Sequence, residues 1–171
     1  EYSIVFIEGD VQLNVSHASF YDNLISEHQD CLIYARNYSS LDLTSVTLSG
    51  TDGFGVKAED SVVSINQLIC TNHIDPCIDS TNSTMSIIYS TFEHSHITNR
   101  TDPTNCGGAL QLKDSNVAVN YAVFVNNTGL GVICLSSQHC DMNYLEVSFS
   151  NFENNDVSDT GAIYVARPSK F

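Results

Sequence analysis

The sequence predicts an all-β fold: a right-handed parallel β-helix (solenoid) of about six to seven coils, open at both ends. Three observations predict it. A block of eight residues recurs six times, reading apolar, any, apolar, small polar, two further residues, any, then Phe or an equivalent. The copies begin at Leu13, Leu41, Val63, Met85, Val117 and Leu145, at spacings of 28, 22, 22, 32 and 28 residues. Glycines gather between the blocks, at Gly50, Gly53, Gly55, Gly107, Gly108, Gly129, Gly131 and Gly161, where a positive φ or a tight approach is expected. Repetition on this scale marks units that cannot bury an apolar face alone and stack to do so.

Each element follows from the phase of the pattern. A strand precedes each block, with an apolar residue seven places before the block start at Phe6, Val56, Ile78 and Leu110, eight before at Ile33 and twelve before at Ile133. The segment Ile4-Val5-Phe6-Ile7 also matches Ala109-Leu110-Gln111-Leu112, and Ile163 opens a seventh coil. Block positions one and three (Val15, Leu43, Ile65, Ile87, Val119 and Val147 at the third) alternate inward as a strand does. The next apolar columns fall at six and eight, so inward parity survives only if the chain bends at four and five. The fourth column (Ser16, Thr44, Asn66, Ile88, Asn120, Ser148) is mostly short and polar, suited to bonding nearby backbone at that bend. The sixth (Ala18, Val46, Leu68, Ser90, Ala122, Ser150) is small, and the eighth is Phe20, Leu48, Cys70, Phe92, Phe124 and Phe152. Coils of 22 to 32 residues leave no room for helices.

Residues 1–171 read as a single β-helix segment, part of a longer chain; with 42% hydrophobic residues it can bury a sizeable core. Six coils at ~4.8 Å per layer stand roughly 29 Å tall. The longer connections, residues 21–30, 93–106 and 136–144, are where a binding site differing from coil to coil is expected. No initiator Met, signal peptide or membrane-length apolar run is present, so the chain is expected to be a segment or processed piece of a longer protein, with its targeting signals outside it and no direct membrane insertion of its own.

Six cysteines in such a chain point to disulfides and an oxidising compartment. Cys134 with Cys140 is the first expected pair, because the two bracket a short insertion. Cys77 with Cys106 and Cys31 with Cys70 are conceivable across adjacent layers, Cys70 with Cys77 competes with them, and Cys70 alone would serve as a buried hydrophobe in the Phe column. Five N-x-S/T sequons, at Asn14, Asn37, Asn82, Asn99 and Asn126, fall at outward or connecting positions, which favours a secretory-pathway glycoprotein located outside the cell or at its surface.

Gly107-Gly108-Ala109-Leu110, its partial match Thr160-Gly161-Ala162-Ile163, and the Phe-x-x-Asn runs ending at Asn23, Asn127 and Asn155 resemble the repeats of chlamydial polymorphic outer-membrane proteins and other large parallel β-helix surface proteins. The resemblance is strongest over residues 105–165 and implies a β-helix in a cell-surface, adhesive or wall-like setting. The sequence departs from that pattern where Thr51, His73 and Ser95 replace the Asn, and no autotransporter barrel is present.

Catalysis on a β-helix wall requires clustered carboxylates with a cation or metal nearby. Arg36, Lys57, Arg100, Lys113, Arg167 and Lys170 read as scattered over different coils and faces, and Glu59-Asp60, Asp75 with Asp79, and Asp141 as solvated turn residues. No catalytic residue and no cofactor is therefore expected. For metals, His73, His94 and His96 are a weak zinc set, the acidic turns a weak calcium site, and neither is adopted. A net charge of −14 disfavours nucleic acid and anionic membranes. His17, Tyr89, Tyr121 and Phe149 share the fifth column; it either packs under a connection, the simpler expectation, or forms a carbohydrate-stacking stripe. The expected function is a non-catalytic structural or filament-forming surface element whose partners are neighbouring segments or subunits stacked end to end. An adhesin or carbohydrate-binding module that meets cell-surface glycans is the alternative, and a polysaccharide lyase or hydrolase the third reading.

Overall fold

The computed structural model describes residues 3–22, 31–97, 107–137, 144–157 and 161–166, which form seventeen strands and no helix. The first coil holds β1 (Ser3–Glu8), β2 (Gln12–Ser16) and β3 (Ser19–Tyr21). In the second and third coils the last two strands run on as one: β4 (Cys31–Arg36) with β5 (Ser40–Thr51), then β6 (Phe54–Glu59) with β7 (Val62–His73). Three strands return in the fourth coil, β8 (Ile78–Thr81), β9 (Thr84–Ile88) and β10 (Thr91–Glu93), and in the fifth, β11 (Gly107–Lys113), β12 (Asn116–Asn120) and β13 (Val123–Val125). The sixth holds β14 (Gly131–Ser136), β15 (Tyr144–Ser148) and β16 (Asn151–Glu153), and β17 (Ile163–Ala166) opens the seventh.

The chain alternates between two all-parallel sheets, the architecture of a parallel β-helix. One sheet runs β1-β4-β6-β8-β11-β14-β17. The other joins the two remaining strand positions of each coil, linked through β5 and β7. The sequence columns are the structural register. Leu13, Leu41, Val63, Met85, Val117 and Leu145 stack directly on one another. Phe20, Leu48, Cys70, Phe92, Phe124 and Phe152 do the same. In the first sheet the inward stack is Val5, Ile33, Val56, Ile78, Leu110, Ile133 and Ile163. Phe6 is not in that stack: it pairs with Tyr34 on the outward side, because coil one carries the same extra residue before its block as coil two.

The coils turn at three corners, nearly all of which carry a residue in the left-handed region among the described residues. One is the fifth block column: His17, Ser45, Gln67, Tyr89, Tyr121 and Phe149, with φ between 50° and 60°. The left-handed residue reverses the pleat, so columns six and eight regain the inward parity of one and three. Asp22, Gly50, Asn72, His94, Asn126 and Asn154 mark the second corner, and Gly9, Asn37, Asp60, Asn82 and Asp114 the third, where Tyr38 follows Asn37 with a second positive φ. Asn, Asp and Gly tolerate this conformation, whereas Tyr and Phe rarely adopt it. The next coil holds them in place: the corner N–H of Tyr89 donates to Asn120 O at 3.1 Å and that of Tyr121 to Ser148 O at 3.1 Å. Of the glycines expected at connections only Gly50 has a positive φ. Gly55 and Gly131 sit in strands, where a Cβ would meet the neighbouring coil within 2.9 Å and 2.7 Å respectively.

Two polar ladders line the dry interior. The Asn of the Phe-x-x-Asn runs is buried: Asn127 Nδ2 donates to Phe92 O of the preceding coil at 2.9 Å, and its Oδ1 accepts the Ser95 N–H at 3.0 Å. Asn155 repeats the arrangement one coil on, reaching Phe124 O and the Asn127 N–H, both at 2.9 Å. Ser39, Ser61, Ser83 and Ser115 form the second ladder; Ser61, Ser83 and Ser115 donate to the carbonyl two residues back, and the Ser83 and Ser115 oxygens accept a backbone N–H from the coil before. Local back-bonding thus belongs to these serines and to the sixth column (Ser90 to Ile88 O, 3.0 Å). In the fourth column, Ser148 instead reaches across to Asn120.

Phe124 is fully buried, with ring centroids of Phe92 and Phe152 at 5.0 Å and 4.7 Å on either side. Replacing it with Ala should destabilise the chain by about 3–5 kcal/mol; a urea midpoint equal to that of the parent would contradict the stacked-column assignment.

Candidate functional site

The outward face of the first sheet carries the densest chemistry. Phe6, Tyr34, Lys57, Asp79, Gln111 and Cys134 form one outward column, and Glu8, Arg36, Glu59, Thr81, Lys113 and Ser136 the next. Arg36, Lys57 and Lys113 therefore share one face, where the sequence reading scattered them. Arg100, Arg167 and Lys170 lie outside the described residues. The Tyr34 hydroxyl donates to Glu59 at 2.5 Å, Lys57 Nζ lies 3.3 Å from Glu59 and 5.1 Å from the Tyr34 ring centroid, and Arg36 pairs with Glu8 at 3.1 Å. That pairing, led by the Arg36 hydrogen bond, holds the exposed Glu8 carboxyl below its usual range.

Asp79 and Asp75 are buried and not the solvated turn residues expected; Glu59 is half-buried, Asp60 is exposed, and Asp141 lies outside the described residues. The correction follows from register, because a two-residue period places Asp79 on the outer side of β8 between Lys57 and Gln111. Gln111 Nε2 donates to Asp79 at 3.1 Å. Burial pushes the Asp79 carboxyl above the ordinary carboxylate range, opposed by Lys113, the Gln111 hydrogen bond and Lys57, with Glu59 adding to the upward push. Carboxylates and cations thus meet on one face, but they are engaged with one another.

The fifth-column aromatics are exposed: Tyr89 59%, Tyr121 46% and Phe149 78%. They do not pack under a connection as the simpler expectation had it. Their rings stack at 5.1 Å and 4.9 Å, so the internal faces are occupied and chiefly edges remain for a ligand. At the start of β7, β9 and β12, on their outer side and away from this corner, runs an open, mainly apolar groove of about 350 Å³ bordered by Val62, Ser64, Thr84, Ser86, Asn116 and Tyr144.

Asn14, Asn37, Asn82 and Asn126 are exposed, and Asn99 lies outside the described residues. Asn37, Asn82 and Asn126 have positive φ, and each marks a corner. Their amides donate to Glu8, to Asp60 and toward His94 Nε2 in adjacent coils.

The cysteine pattern is corrected. Cys70 is bonded to Cys77, with a Cα–Cα distance of 6.3 Å, which removes the Cys31–Cys70 and Cys77–Cys106 alternatives. The partners are seven residues apart in sequence, Cys70 in β7 and Cys77 just before β8 at the start of the next coil, so the bridge closes the turn that joins two successive coils. Cys106 and Cys140 lie outside the described residues; Cys134 is disulfide-bonded, and Cys31 is buried. The three-histidine set also divides: His94 and His96 face outward, while His73 is 1% exposed. His73 replaces the repeat's Asn and points into the wall, where it joins Cys70 and Cys77 with donor atoms mutually within 4.8 Å. Sequence reasoning passed over this cluster because it divided the three residues between a disulfide and a histidine set. The signal was the replacement of Phe by Cys and of Asn by His in a single coil, where coil two loses the same pair to Leu48 and Thr51, neither of which binds metal.

No family model, curated protein or solved structure matches the chain.

Burial lowers the His73 pKa from its usual 6.5, opposed by the Gly53 and Leu48 carbonyls. The folded state therefore holds a neutral ring, and its contribution to stability is complete above about pH 6.5 and lost as pH falls toward the folded-state value, where the unfolded chain binds the extra proton. Urea midpoints measured across that window should fall with acidity, and His73→Asn should flatten this part of the profile. Asp79 has the opposite sign: its raised folded pKa favours folding below the unfolded value of 3.8, and that gain is lost as pH rises through the folded value. Asp79→Asn should raise the midpoint at pH 7, with the difference disappearing below pH 3.8; a lower midpoint at neutral pH would refute the reading.

Proposed function

We propose that the protein is a non-catalytic structural element of an extracellular or cell-surface glycoprotein, a β-helical spacer that extends by stacking further coils on its end layers. One observation carries the reading. Inward side chains are fully buried in the middle coils but not at either end: Ile133 is 0% exposed, whereas its stacked neighbour Ile163 is 42% exposed and Val165 58%. In the first coil Val5, Leu13, Val15 and Phe20 are likewise only half-buried. Another coil, from the same chain or a second one, would cover these side chains and continue the backbone ladder. Head-to-tail contact of this type extends into filaments unless rotation closes a ring.

The secretory setting is supported by the Cys70–Cys77 bridge, by disulfide-bonded Cys134 and by the four exposed sequon asparagines. The Gly-Gly-Ala-Leu and Phe-x-x-Asn runs, similar to those of polymorphic outer-membrane proteins, agree with a surface role. A second reading, a glycan-binding or adhesive module, draws on the groove bordered by Tyr144 and on the hydroxyl and amide side chains along it.

The test is association of the 171-residue chain. Particles lengthening along one axis with concentration, seen by electron microscopy and sedimentation, are the expected result, and Val165→Lys should leave discrete particles. Discrete parent particles at every concentration would overturn end-to-end stacking. Loss of glycan-surface binding in Tyr144→Ala, with stability retained, would move the weight to the adhesive reading.

A further inference from the structure

We propose that Cys70, His73 and Cys77 form a redox-gated zinc site, in which the disulfide is the oxidised state and reduction turns the same three side chains into ligands for one Zn²⁺ ion. The inference does not depend on the filament reading.

Four observations converge. The third coil departs from the repeat at both of its signature columns, placing Cys70 where Phe20, Phe92, Phe124 and Phe152 stand and His73 where Asn127 and Asn155 stand. A core column loses an aromatic ring and a structural amide in the same coil, and both are replaced by metal-binding side chains. Second, the two sulfurs and an imidazole nitrogen lie mutually within 4.8 Å. Tetrahedral zinc with bonds of ~2.0–2.3 Å needs donors about 3.5–4 Å apart, so opening the S–S bond brings the set into range with little backbone movement.

Third, His73 is buried, and among the described residues its Nε2 has no partner in hydrogen-bonding geometry, although the Leu48 carbonyl lies near the ring. An unsatisfied ring nitrogen in a dry wall is costly, and a metal bond would satisfy it. The ring is in the neutral form that ligates, and the nearby carbonyl oxygen of Gly53, 3.4 Å from Nδ1, favours the tautomer that leaves the Nε2 lone pair available. Fourth, the coil below makes room for the sulfur: a Cβ on Gly55 would stand 3.1 Å from Cys77 Sγ and 2.9 Å from Cys77 O. Leu48 below and Phe92 above keep the site dry.

The chemistry balances. A small dithiol supplies two electrons and two protons to the Cys70–Cys77 bond and becomes a cyclic disulfide. Zn²⁺ then displaces the two thiol protons to solvent, forming two Zn–S bonds and one Zn–N bond, with water in the fourth position. Two thiolates cancel the charge of the ion, and this neutral assembly suits a buried wall better than either charge alone.

The full chain, reduced anaerobically with a thiol-free phosphine, is titrated with Co²⁺ as the spectroscopic probe. The expected result is thiolate-to-cobalt charge transfer with intense tetrahedral d–d bands, saturating at about one ion per chain, bleached by Zn²⁺ and absent from the oxidised chain. His73→Asn restores the repeat's own residue and should weaken Co²⁺ binding by more than about tenfold; Cys77→Ala should abolish the spectrum. No tetrahedral spectrum, or an equal one in His73→Asn, overturns the proposal, since the latter would assign the metal to other cysteines. If reduction unfolds the chain, Zn²⁺ must restore its β-sheet circular dichroism in the parent and not in Cys77→Ala; failure to do so also overturns it.

Discussion

The constraint on which the structure depends is the in-register parallel ladder between coils. Once Leu41 is hydrogen-bonded in register between Leu13 and Val63, every other residue of the coil has its partner above and below assigned. A side chain must then tolerate its own column. Aliphatic and aromatic groups stack on their like, Asn127 stacks on Asn155 with its amide spanning three coils, and serines pass hydrogen bonds along their column. The ladder also accounts for the left-handed Tyr89, Tyr121 and Phe149, whose conformation an isolated strand would avoid. The corner N–H groups of Tyr89 and Tyr121 are bonded to the adjacent coil in that geometry, and all three outward rings stack.

Legibility in the sequence follows from the same constraint. The block starts and the Phe column were readable because a buried column admits only apolar side chains, so burial leaves a composition signal at a fixed offset. The bend was readable from parity, but its left-handed residue was not, because Ser45, Gln67 and Phe149 carry none of the usual marks of positive φ. The first strand could be set on Phe6 or on Val5, since both are apolar; only pairing with coil two, where Tyr34 faces outward, decides between them. Disulfide connectivity was unreadable for a different reason. Stacking makes interlayer bridges plausible at every column, whereas the turn between Cys70 and Cys77 brings together two sulfurs only seven residues apart in sequence.

Charges were misread because sequence distance is a poor guide on a solenoid. Arg36, Lys57 and Lys113 are separated by 21 and 56 residues, yet coil stacking places them on one sheet face with Glu8, Glu59 and Asp79. A net charge of −14 therefore hides a locally mixed face on which ion pairs and rings neutralise one another. Exposed pairs of this type add little to stability. Buried Asp79 differs, since the neutral form is favoured there despite two nearby lysines, which is the expected order when desolvation outweighs screened attraction.

The distribution of satisfied groups bears directly on function. Along the walls, side chains with binding potential are already engaged by their column neighbours: the corner rings cover one another, Glu59 holds both Tyr34 and Lys57, and Asp79 holds Gln111. A ligand approaching those features would have to displace an internal partner before gaining anything. Two places differ. The end layers present half-exposed apolar columns among the described residues, at Ile163 and Val165 and at Val5, Leu13, Val15 and Phe20. In coil three the buried His73 ring, whose Nε2 has no hydrogen-bond partner among the described residues, lies beside the sulfurs of Cys70 and Cys77. A stacked fold can accommodate one such irregular layer because each coil is held by its two neighbours, so the cost of the exception stays local while the ladder above and below remains intact.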